Sequence, residues 1–271
     1  MNKTTPQLRQ LKASGKKFSV IAAYDASFAA AANEAGIDAI LVGDSLGMVV
    51  QGNSSTLPVS VDDMAYHTRA VASAARLSDS AALIIADMPF MSYATTQSAL
   101  SNAAALMQAG ANMVKLEGGA WLADTVAKLV ACGIPVCAHL GLTPQSVNTL
   151  GGYKVQGKSD QQQAVLINDA TLLDQAGADF VVLECVPATL AEQITQGTEF
   201  SSIGIGAGAA TNAQVLVSYD ILGLGNSQAK FVEVFLDPKA AAADNPIREA
   251  FAAFDRAVKN GSYPCAKHCY Q

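Results

Sequence analysis

The stretch NMVKLEGGAWLADTVAKLVACGIPVCAHL, residues 112–140, contains one complete unit of the predicted fold. It begins with a short apolar run, continues as an Ala-rich helical run and ends in a second apolar run after Pro135. Continuous rather than alternating apolar runs are typical of parallel strands that are covered on both faces. The helical run stops at Gly133, because glycine readily adopts the left-handed conformation of a helix C-cap. The stretch therefore predicts a strand, a helix and a second, parallel strand.

The same pattern recurs along the whole chain, from FSVIAAYD at Phe18 to QVLVSYDIL at Gln214. Eight strand candidates alternate with helical runs, and no linker interrupts them. This order favours an α/β fold with a single (β/α)8 TIM barrel over a doubly wound sheet. The stretch NPIREAFAAFDRAVKNG near the end predicts an extra amphipathic C-terminal helix. We expect one domain over residues 1–271, with a polar N-terminal segment over about 1–17 and a C-terminal helix and tail over about 245–271.

The composition points to a small-molecule protein with a large buried core. Of 271 residues, 51% are hydrophobic and 15% are charged, against roughly 25% charged in a typical soluble domain. The formal net charge of −6 and the lack of a basic block give no reason to expect nucleic acid or a membrane as partner. The N-terminus lacks the apolar core of a secretory signal, and apolar windows stay short of the roughly 20 residues of a membrane span.

Five cysteines, an odd number, fit reduced thiols in a cytosolic protein. The tail CAKHC, residues 265–269, lacks the paired spacing of a zinc site. For this tail we expect a loosely held terminus rather than a metal site.

Ionisable residues follow successive strand candidates at their carboxyl ends, namely Asp25, Asp44, Asp87, Lys115 with Glu117, His139 and Glu184. In a barrel these ends meet at one mouth, where active sites of this fold lie. Asp25 is equally well explained as the N-cap of the next helix. Carboxylates buried together are costly unless a cation compensates them. Asp44, Asp87 and Glu117 therefore predict a hard divalent metal, with Mg²⁺ the best match to oxygen ligands.

Two of these positions suggest further roles. Lys115 and Glu117 are two residues apart on one strand, so their side chains share a face. Lys115 then either neutralises the carboxylates or clamps a substrate carboxylate. Glu184 ends a strongly apolar run, a setting that suits a general base; the alternative is a salt bridge toward a helix.

Three other segments and one histidine complete the predictions. Residues 42–60 and 139–157 are long loops, and the second has the length of a lid over the mouth. The run GIGAG, residues 204–208, is a weak phosphate-site motif, and its glycines are equally suited to keep the mouth open. His67 is predicted to pack a helix rather than to bind a ligand.

Several longer strings carry a family resemblance: VGDSLGMVVQG, STLPVS, DMAYHTRAV, ADMPFMSY, AGANMVKLEGG, PVCAHLGLTPQSVN, GGYKVQG, VLECVP and IGIGAG. They resemble the ketopantoate hydroxymethyltransferase family over about residues 11–264. The resemblance implies a barrel of the phosphoenolpyruvate/pyruvate type, a Mg²⁺ cofactor, a homodecamer and a cytoplasmic location. It implies that 5,10-methylenetetrahydrofolate and water convert 3-methyl-2-oxobutanoate into 2-dehydropantoate through a Mg-stabilised enolate, the first step of pantothenate biosynthesis.

The resemblance also implies roles for individual residues. These are Glu184 as the catalytic proton acceptor; Asp44, Ser45, Asp87, Lys115 and His139 as substrate-binding residues; and Asp44, Asp87 and Glu117 as metal-binding residues. Asn53 and Tyr219 depart from the family pattern, in which histidine is frequent at both positions, and both departures bear on the folate side of the site. Two alternatives stay open: another Mg-dependent, enolate-forming lyase or mutase of the phosphoenolpyruvate/pyruvate barrel group, and a non-enzymatic relative that binds ketoacid or folate or acts as an assembly partner.

Overall fold

A computed structural model describes residues 3–75, 80–225, 227–237 and 244–270 of the chain. Parts of three predictions lie outside these residues: both ends of the predicted domain, Arg76 at the end of a predicted helix, and the last residue of the tail. The assignment of residues 1–271 to one domain stays a prediction.

Eight parallel strands form a closed barrel in sequence order, and the last strand pairs with the first. The strands are β1 Phe18–Ala22, β2 Ala39–Val42, β3 Leu83–Asp87, β4 Met113–Glu117, β5 Val136–Gly141, β6 Phe180–Glu184, β7 Ser201–Ile205 and β8 Ala213–Val217. Every residue of β1, β3, β4 and β7 is buried, as expected for strands covered on both faces. The predicted TIM barrel is confirmed.

Helices connect the strands and surround the barrel. They are α1 Thr5–Ala13, α2 Ala26–Ala35, α3 Leu46–Val49, α4 Val61–Ala74, α5 Thr96–Gln108, α6 Ala123–Ala131, α7 Val147–Leu150, α8 Asp160–Gln175, α9 Ala188–Gly197, α10 Ser218–Ile221 and α11 Pro246–Lys259. Short 3₁₀ turns span Ala120–Leu122, Pro144–Ser146 and Ala266–His268. Capping boxes at Ser60, Thr95 and Ser159 begin α4, α5 and α8.

The extra C-terminal helix is α11, which packs its apolar face on α2 and β1. Phe251 and Phe254 are fully buried, and the Phe251 ring lies 6.2 Å from that of Phe28 on α2. The helix thereby covers the side of the barrel on which the first and last strands meet. No helix within the described ranges is long and apolar enough to cross a membrane.

Two local predictions are wrong. QVLVSYDIL is not strand throughout, because β8 ends at Val217 and the next residues form α10. The tail is not loosely held either: His268 is buried, and its Nε2 lies 2.8 Å from Glu233 Oε2. Tyr270 pairs with Pro187 as an isolated bridge beside the barrel.

Candidate active site

The predicted site residues meet in one cavity at the carboxyl ends of the strands. Asp87, Glu117 and Glu184 are the last residues of β3, β4 and β6, and Asp44 follows β2 by two positions. The cavity has a volume of about 180 Å³. All seven predicted residues line it: Asp44, Ser45, Asp87, Lys115, Glu117, His139 and Glu184.

One buried ammonium group lies among the carboxylates. Lys115 Nζ lies 2.6 Å from Asp87 Oδ1, at ion-pair distance though without good hydrogen-bond angles, and 3.5 Å from Glu117 Oε1. The backbone N–H of Asp44 donates to Asp87 Oδ2 over 3.0 Å. Burial lowers the pKa of Lys115, but the charges of the neighbouring carboxylates outweigh it and raise this pKa overall. Lys115 therefore stays charged at neutral pH.

His139 joins two carboxylates from different strands. Its Nδ1 lies 3.2 Å from Glu117 Oε1, and its Nε2 lies 3.3 Å from Glu184 Oε2. Burial and the charge of Lys115 lower the pKa of His139, but Glu117 and Glu184 outweigh them and raise it to about 9. Burial raises the pKa of Glu117, but the charges of His139 and Lys115 outweigh it and lower this pKa overall. An imidazolium and an ionised Glu117 are the expected states at neutral pH.

The charge balance of the site favours the binding of a further cation. Five carboxylates line the cavity together with the two cations Lys115 and His139; they are Asp44, Asp87, Glu117, Glu184 and Asp220. Asp44 shows the imbalance most clearly, since burial and then the charges of Asp87 and Glu117 raise its pKa well above the ordinary value. A divalent cation would offset the excess negative charge.

The excess of carboxylates agrees with a divalent cation, but the individual metal ligands stay a prediction. Among the described residues, no group of three or more His, Cys, Asp or Glu side chains is arranged to hold a metal ion. Glu117 is already engaged, since its Oε2 accepts from the backbone N–H of Gln145 over 2.9 Å while Oε1 faces His139. Mg²⁺ commonly keeps several waters and is held by only one or two carboxylates. Asp87 is engaged in a similar way, by Lys115 at Oδ1 and by the Asp44 N–H at Oδ2. Ligation by Asp44 and Asp87, with Glu117 in contact through a water, therefore stays a prediction.

Two functional side chains were missed by sequence reasoning. Gln145, from the loop after β5, donates through Nε2 to Asp44 Oδ2 over 2.8 Å. Tyr93, from the loop after β3, donates its hydroxyl hydrogen to the Gln145 side-chain oxygen and accepts from the backbone N–H of Glu117 over 3.3 Å. Neither residue belongs to a strand, so no periodicity marks it. The signal that could have found Gln145 is its place in the long loop predicted as a lid.

The cavity also has an apolar part inside the barrel. Its lining includes Ala22, Leu41, Val182, Ile205, Val215 and Val217. An anion bound near Lys115 would therefore turn an attached hydrocarbon group toward aliphatic side chains.

Other predicted features lie outside the catalytic cluster. Asp25 caps α2 by accepting from the N–H groups of Ser27 and Phe28. His67 packs α4 on the barrel with Nδ1 2.7 Å from the Tyr24 carbonyl, which agrees with the predicted packing role.

The GIGAG run does not hold open space above the barrel. A Cβ at Gly206 would lie within 3 Å of the rings of Phe231 and Tyr270, so these side chains fill the region. Gly206 therefore allows the tail residue Tyr270 to pack closely, whereas a Cβ at Gly204 would meet Thr211 and Gln214. The prediction that the glycines keep the mouth open is wrong at Gly206.

The two departures from the family pattern have defined surroundings. Asn53 donates to Gln51 Oε1 over 3.0 Å. Tyr219 stacks on Phe28 of α2 with ring centroids 5.8 Å apart, and the cavity lining does not include it.

The sequence matches the family model for ketopantoate hydroxymethyltransferase over residues 2–266. It is 52% identical over 271 residues to 3-methyl-2-oxobutanoate hydroxymethyltransferase 2 of Hahella chejuensis, covering 100% of this chain and 99% of that one. It is 54% identical over 265 residues to 3-methyl-2-oxobutanoate hydroxymethyltransferase of Idiomarina loihiensis, covering 97% of this chain and 96% of that one.

Solved structures with low identity share the fold. Phosphonopyruvate hydrolase in complex with oxalate and Mg²⁺ superposes with a TM-score of 0.62 at 15% identity, covering 98% of this chain and 93% of that one. Oxaloacetate acetylhydrolase, solved with the inhibitor 3,3-difluorooxalacetate, gives a TM-score of 0.60 at 14% identity, with 97% and 98% coverage.

Proposed function

The chain belongs to the ketopantoate hydroxymethyltransferase family, and on this premise we propose that it transfers a hydroxymethyl group from 5,10-methylenetetrahydrofolate to 3-methyl-2-oxobutanoate. The products are 2-dehydropantoate and tetrahydrofolate, and water supplies the hydroxyl oxygen. This reaction is the first step of pantothenate biosynthesis.

One observation carries the proposal: a small cavity combines a charged wall with an aliphatic interior. Asp44, Asp87 and Lys115 form the charged wall, and each is at most 3% exposed. A 2-oxoacid with a branched hydrocarbon chain matches both parts. Its carboxylate would lie against Lys115 and the hydroxyl of Ser45, and its methyl groups would contact the aliphatic side chains around Val182 and Val215.

Glu184 is the proposed base that removes the proton from the carbon next to the keto group. Its side chain lines the cavity and is 16% exposed, so a substrate can reach it. His139 Nε2 lies at an ion-pair distance of 3.3 Å from its Oε2, though without good hydrogen-bond angles. We therefore assign His139 to the substrate-binding wall, where it acts on the substrate by way of Glu184.

Mg²⁺ is the proposed metal, with Asp44 and Asp87 as ligands and Glu117 in contact through a water. Bound there, it would supply the Lewis acidity that stabilises negative charge on the keto oxygen after the proton is lost. Closure of the loop after β5, residues 142–157, would keep bulk water from that charge.

The folate is proposed to approach from the open side of the mouth, where Met48 and Tyr153 are partly exposed and in contact, with Tyr153 Oη 3.5 Å from Met48 Sδ. A homo-oligomer, with the decamer that the family resemblance implies, and a cytoplasmic location are part of the same proposal. Exposed apolar side chains such as Trp121 and Leu224 support burial between subunits.

The direct test is product formation by the purified chain from both substrates, with and without Mg²⁺. We expect 2-dehydropantoate only when 3-methyl-2-oxobutanoate, the folate and the metal are all present. Replacing the ketoacid by 2-oxobutanoate, which lacks one methyl group, should lower kcat/KM by about 10-fold or more, because the aliphatic wall loses a contact. Absence of product under the complete conditions would overturn the proposal.

A lyase or mutase of the phosphoenolpyruvate/pyruvate barrel group is the disfavoured alternative. Members of that group share the fold at 14–20% identity, whereas the hydroxymethyltransferases are 52–54% identical over nearly the whole chain. Cleavage of a 2-oxoacid without folate would favour the alternative. A purely binding function is disfavoured because all of the predicted site residues line the cavity.

A further inference from the structure

The loop that follows β5 reaches into the carboxylate cluster at one residue, Gln145. Gln145 is 5% exposed, and every polar group of its side chain has a buried partner. Nε2 donates to Asp44 Oδ2 over 2.8 Å and to the Met88 carbonyl over 3.0 Å, while Oε1 accepts from the hydroxyl of Tyr93. Only this orientation of the amide gives each atom a suitable partner, because Asp44 and Met88 offer acceptors and Tyr93 offers a donor.

The backbone of Gln145 makes a second link to the cluster. Its N–H donates to Glu117 Oε2 over 2.9 Å. The Tyr93 hydroxyl that donates to this side chain also accepts from the backbone N–H of Glu117 over 3.3 Å. One loop residue therefore fixes carboxylates from two different strand ends, Asp44 after β2 and Glu117 on β4.

These contacts bear on the metal site because of which oxygens they occupy. Gln145 holds one oxygen of Asp44, so the orientation of the other oxygen toward a ligand depends on Gln145. The loop cannot lift from the mouth without releasing both Asp44 and Glu117 at once. Hydrogen-bond partners that orient metal ligands commonly change metal affinity by about 10–100-fold when removed.

We propose that Gln145 is a positioning residue that makes closure of the 142–157 loop and assembly of the Mg²⁺ ligands a single event. Binding of Mg²⁺ then orders the loop, and an open loop leaves the carboxylates unable to hold the metal tightly. The two loop residues that line the cavity, Pro144 and Tyr153, are brought over the substrate by the same step. This inference rests on the Mg²⁺ site of the proposed function.

The test uses the full chain with Mg²⁺ alone and no substrate. Calorimetric titration measures Mg²⁺ affinity, and hydrogen–deuterium exchange measures protection of the 142–157 loop. In the unmodified chain we expect Mg²⁺ to slow exchange in this loop. Gln145→Met keeps the length of the side chain and removes its hydrogen bonds, and it should weaken Mg²⁺ binding about 10-fold or more and abolish the response of the loop.

The matched control is Asn148→Ala, in the same loop but with an exposed side chain. It should match the unmodified chain in both measurements. A second variant, Tyr93→Phe, removes only the hydroxyl that donates to Gln145 and should weaken Mg²⁺ binding by a smaller factor. If Gln145→Met does not fold, this variant tests the positioning role of Gln145 in its place.

Two results would overturn the inference: loop exchange in the unmodified chain that does not respond to Mg²⁺, or variants that bind Mg²⁺ as tightly as the unmodified chain. A failure of the proposed function would look different, because no product would form even though Mg²⁺ binds and orders the loop.

Discussion

At the scale of single residues, Glu184 differs from the other carboxylates of the mouth in its accessibility. Its side chain is 16% exposed, against 3% for Asp87 and 2% for Glu117. The two buried carboxylates are held by Lys115, whereas Glu184 is held on one side by His139 and open on the other. A base must reach the proton that it removes, so the accessible carboxylate suits that role and the buried ones suit charge compensation.

Glu184→Gln should therefore retain ketoacid binding and lose proton abstraction. The amide keeps the size of the side chain but cannot accept a proton, and a positioned general base commonly contributes about 10²–10⁴-fold. NMR can follow exchange of the hydrogen next to the keto group in deuterated solvent with Mg²⁺ and no folate. Glu192→Gln, at an exposed position on α9, is the matched control. Undiminished exchange in Glu184→Gln would remove Glu184 as the base.

Lys115→Met should destabilise the metal-free protein and make its stability depend more strongly on Mg²⁺. Without the ammonium group, Asp87 and Glu117 lose their closest cation, and breaking such a buried pair costs about 3–5 kcal/mol. Thermal unfolding with and without Mg²⁺ measures the effect, and Lys128→Met on the exposed face of α6 is the control. A Lys115→Met protein as stable as the unmodified chain without metal would contradict the expected charge compensation.

The sequence could predict the site residues that lie at strand ends, because the barrel brings all such ends to one mouth. Asp44, Asp87, Lys115 and Glu184 were found in this way. Gln145 could not be found, because the conformation of a loop, and not a strand period, decides where its side chain points.

At the scale of elements, Asp25 shows why a position at the end of a strand is not sufficient to place a carboxylate in the catalytic cluster. It follows β1 as Asp44 follows β2, yet its Oδ1 accepts from the N–H groups of Ser27 and Phe28 at 2.8 and 3.0 Å. The local hydrogen bonds of a helix N-terminus use this carboxylate, and the cavity lining does not include it.

Asp25→Ala should accordingly lower stability by about 1 kcal/mol, the usual loss for an N-cap, without changing kcat. Asp25→Asn should retain most of the stability, because asparagine caps helices about as well as aspartate. Urea unfolding together with the product assay separates the two roles. A large fall in kcat for Asp25→Asn would show that Asp25 belongs to the catalytic cluster after all.

The fold itself was predictable to the level of elements because buried strands and Ala-rich helices differ in pattern and length. The errors occurred where contacts distant in sequence decide the structure. The apolar run QVLVSYDIL continues past β8, but α10 begins at Ser218. Gly206 of the GIGAG run accommodates Tyr270 of the tail, whose position the local sequence does not encode.

Gly206→Ala tests that packing at the seventh strand. Gly206 has a φ of +62°, and a Cβ there would lie 2.8 Å from Phe231 and 2.9 Å from Tyr270. Gly15→Ala is the matched control, because Gly15 has a φ of +66° but nothing within 4 Å of the added Cβ. Both variants should lose about 1 kcal/mol or more to backbone strain. We expect the unfolding free energy to fall further in Gly206→Ala than in Gly15→Ala. Equal losses would show that Phe231 and Tyr270 can move aside without destabilising the fold.

At the scale of the whole molecule, Asp38 links the two ends of the chain at the face opposite the mouth. Its Oδ1 lies 2.6 Å from Lys3 Nζ, ahead of α1, and its Oδ2 lies 2.9 Å from Lys259 Nζ, at the end of α11. Oδ2 also accepts from the backbone N–H of Ser19 on β1 over 3.0 Å. One largely buried carboxylate therefore links the segment ahead of α1 and the end of α11 to strand β1.

The Asp38 carboxylate should make the barrel less stable as the pH becomes acidic. Burial raises the pKa of Asp38, but the charges and hydrogen bonds of Lys3 and Lys259 outweigh it and lower this pKa below the ordinary 3.8. The Asp38 carboxyl is then a stronger acid in the folded state than in the unfolded chain. As the pH falls through about 4, the unfolded chain therefore binds more protons than the folded protein. The contribution of Asp38 is fully present above about pH 5 and is lost as the pH falls below 3.8 toward the folded-state value.

Asp38→Asn should lower the unfolding free energy at pH 7 by about 1–3 kcal/mol, since two ammonium groups lose their shared partner. The difference from the unmodified chain should shrink as the pH falls from 5 toward 3 (about the range of an aspartate titration). Urea unfolding over that range measures it, and Asp62→Asn, exposed on α4, is the control. If the difference stays constant with pH, Asp38 stabilises the fold through neutral hydrogen bonds such as that from Ser19. The ion pairs with Lys3 and Lys259 would then not stabilise the attachment of the chain ends to the barrel.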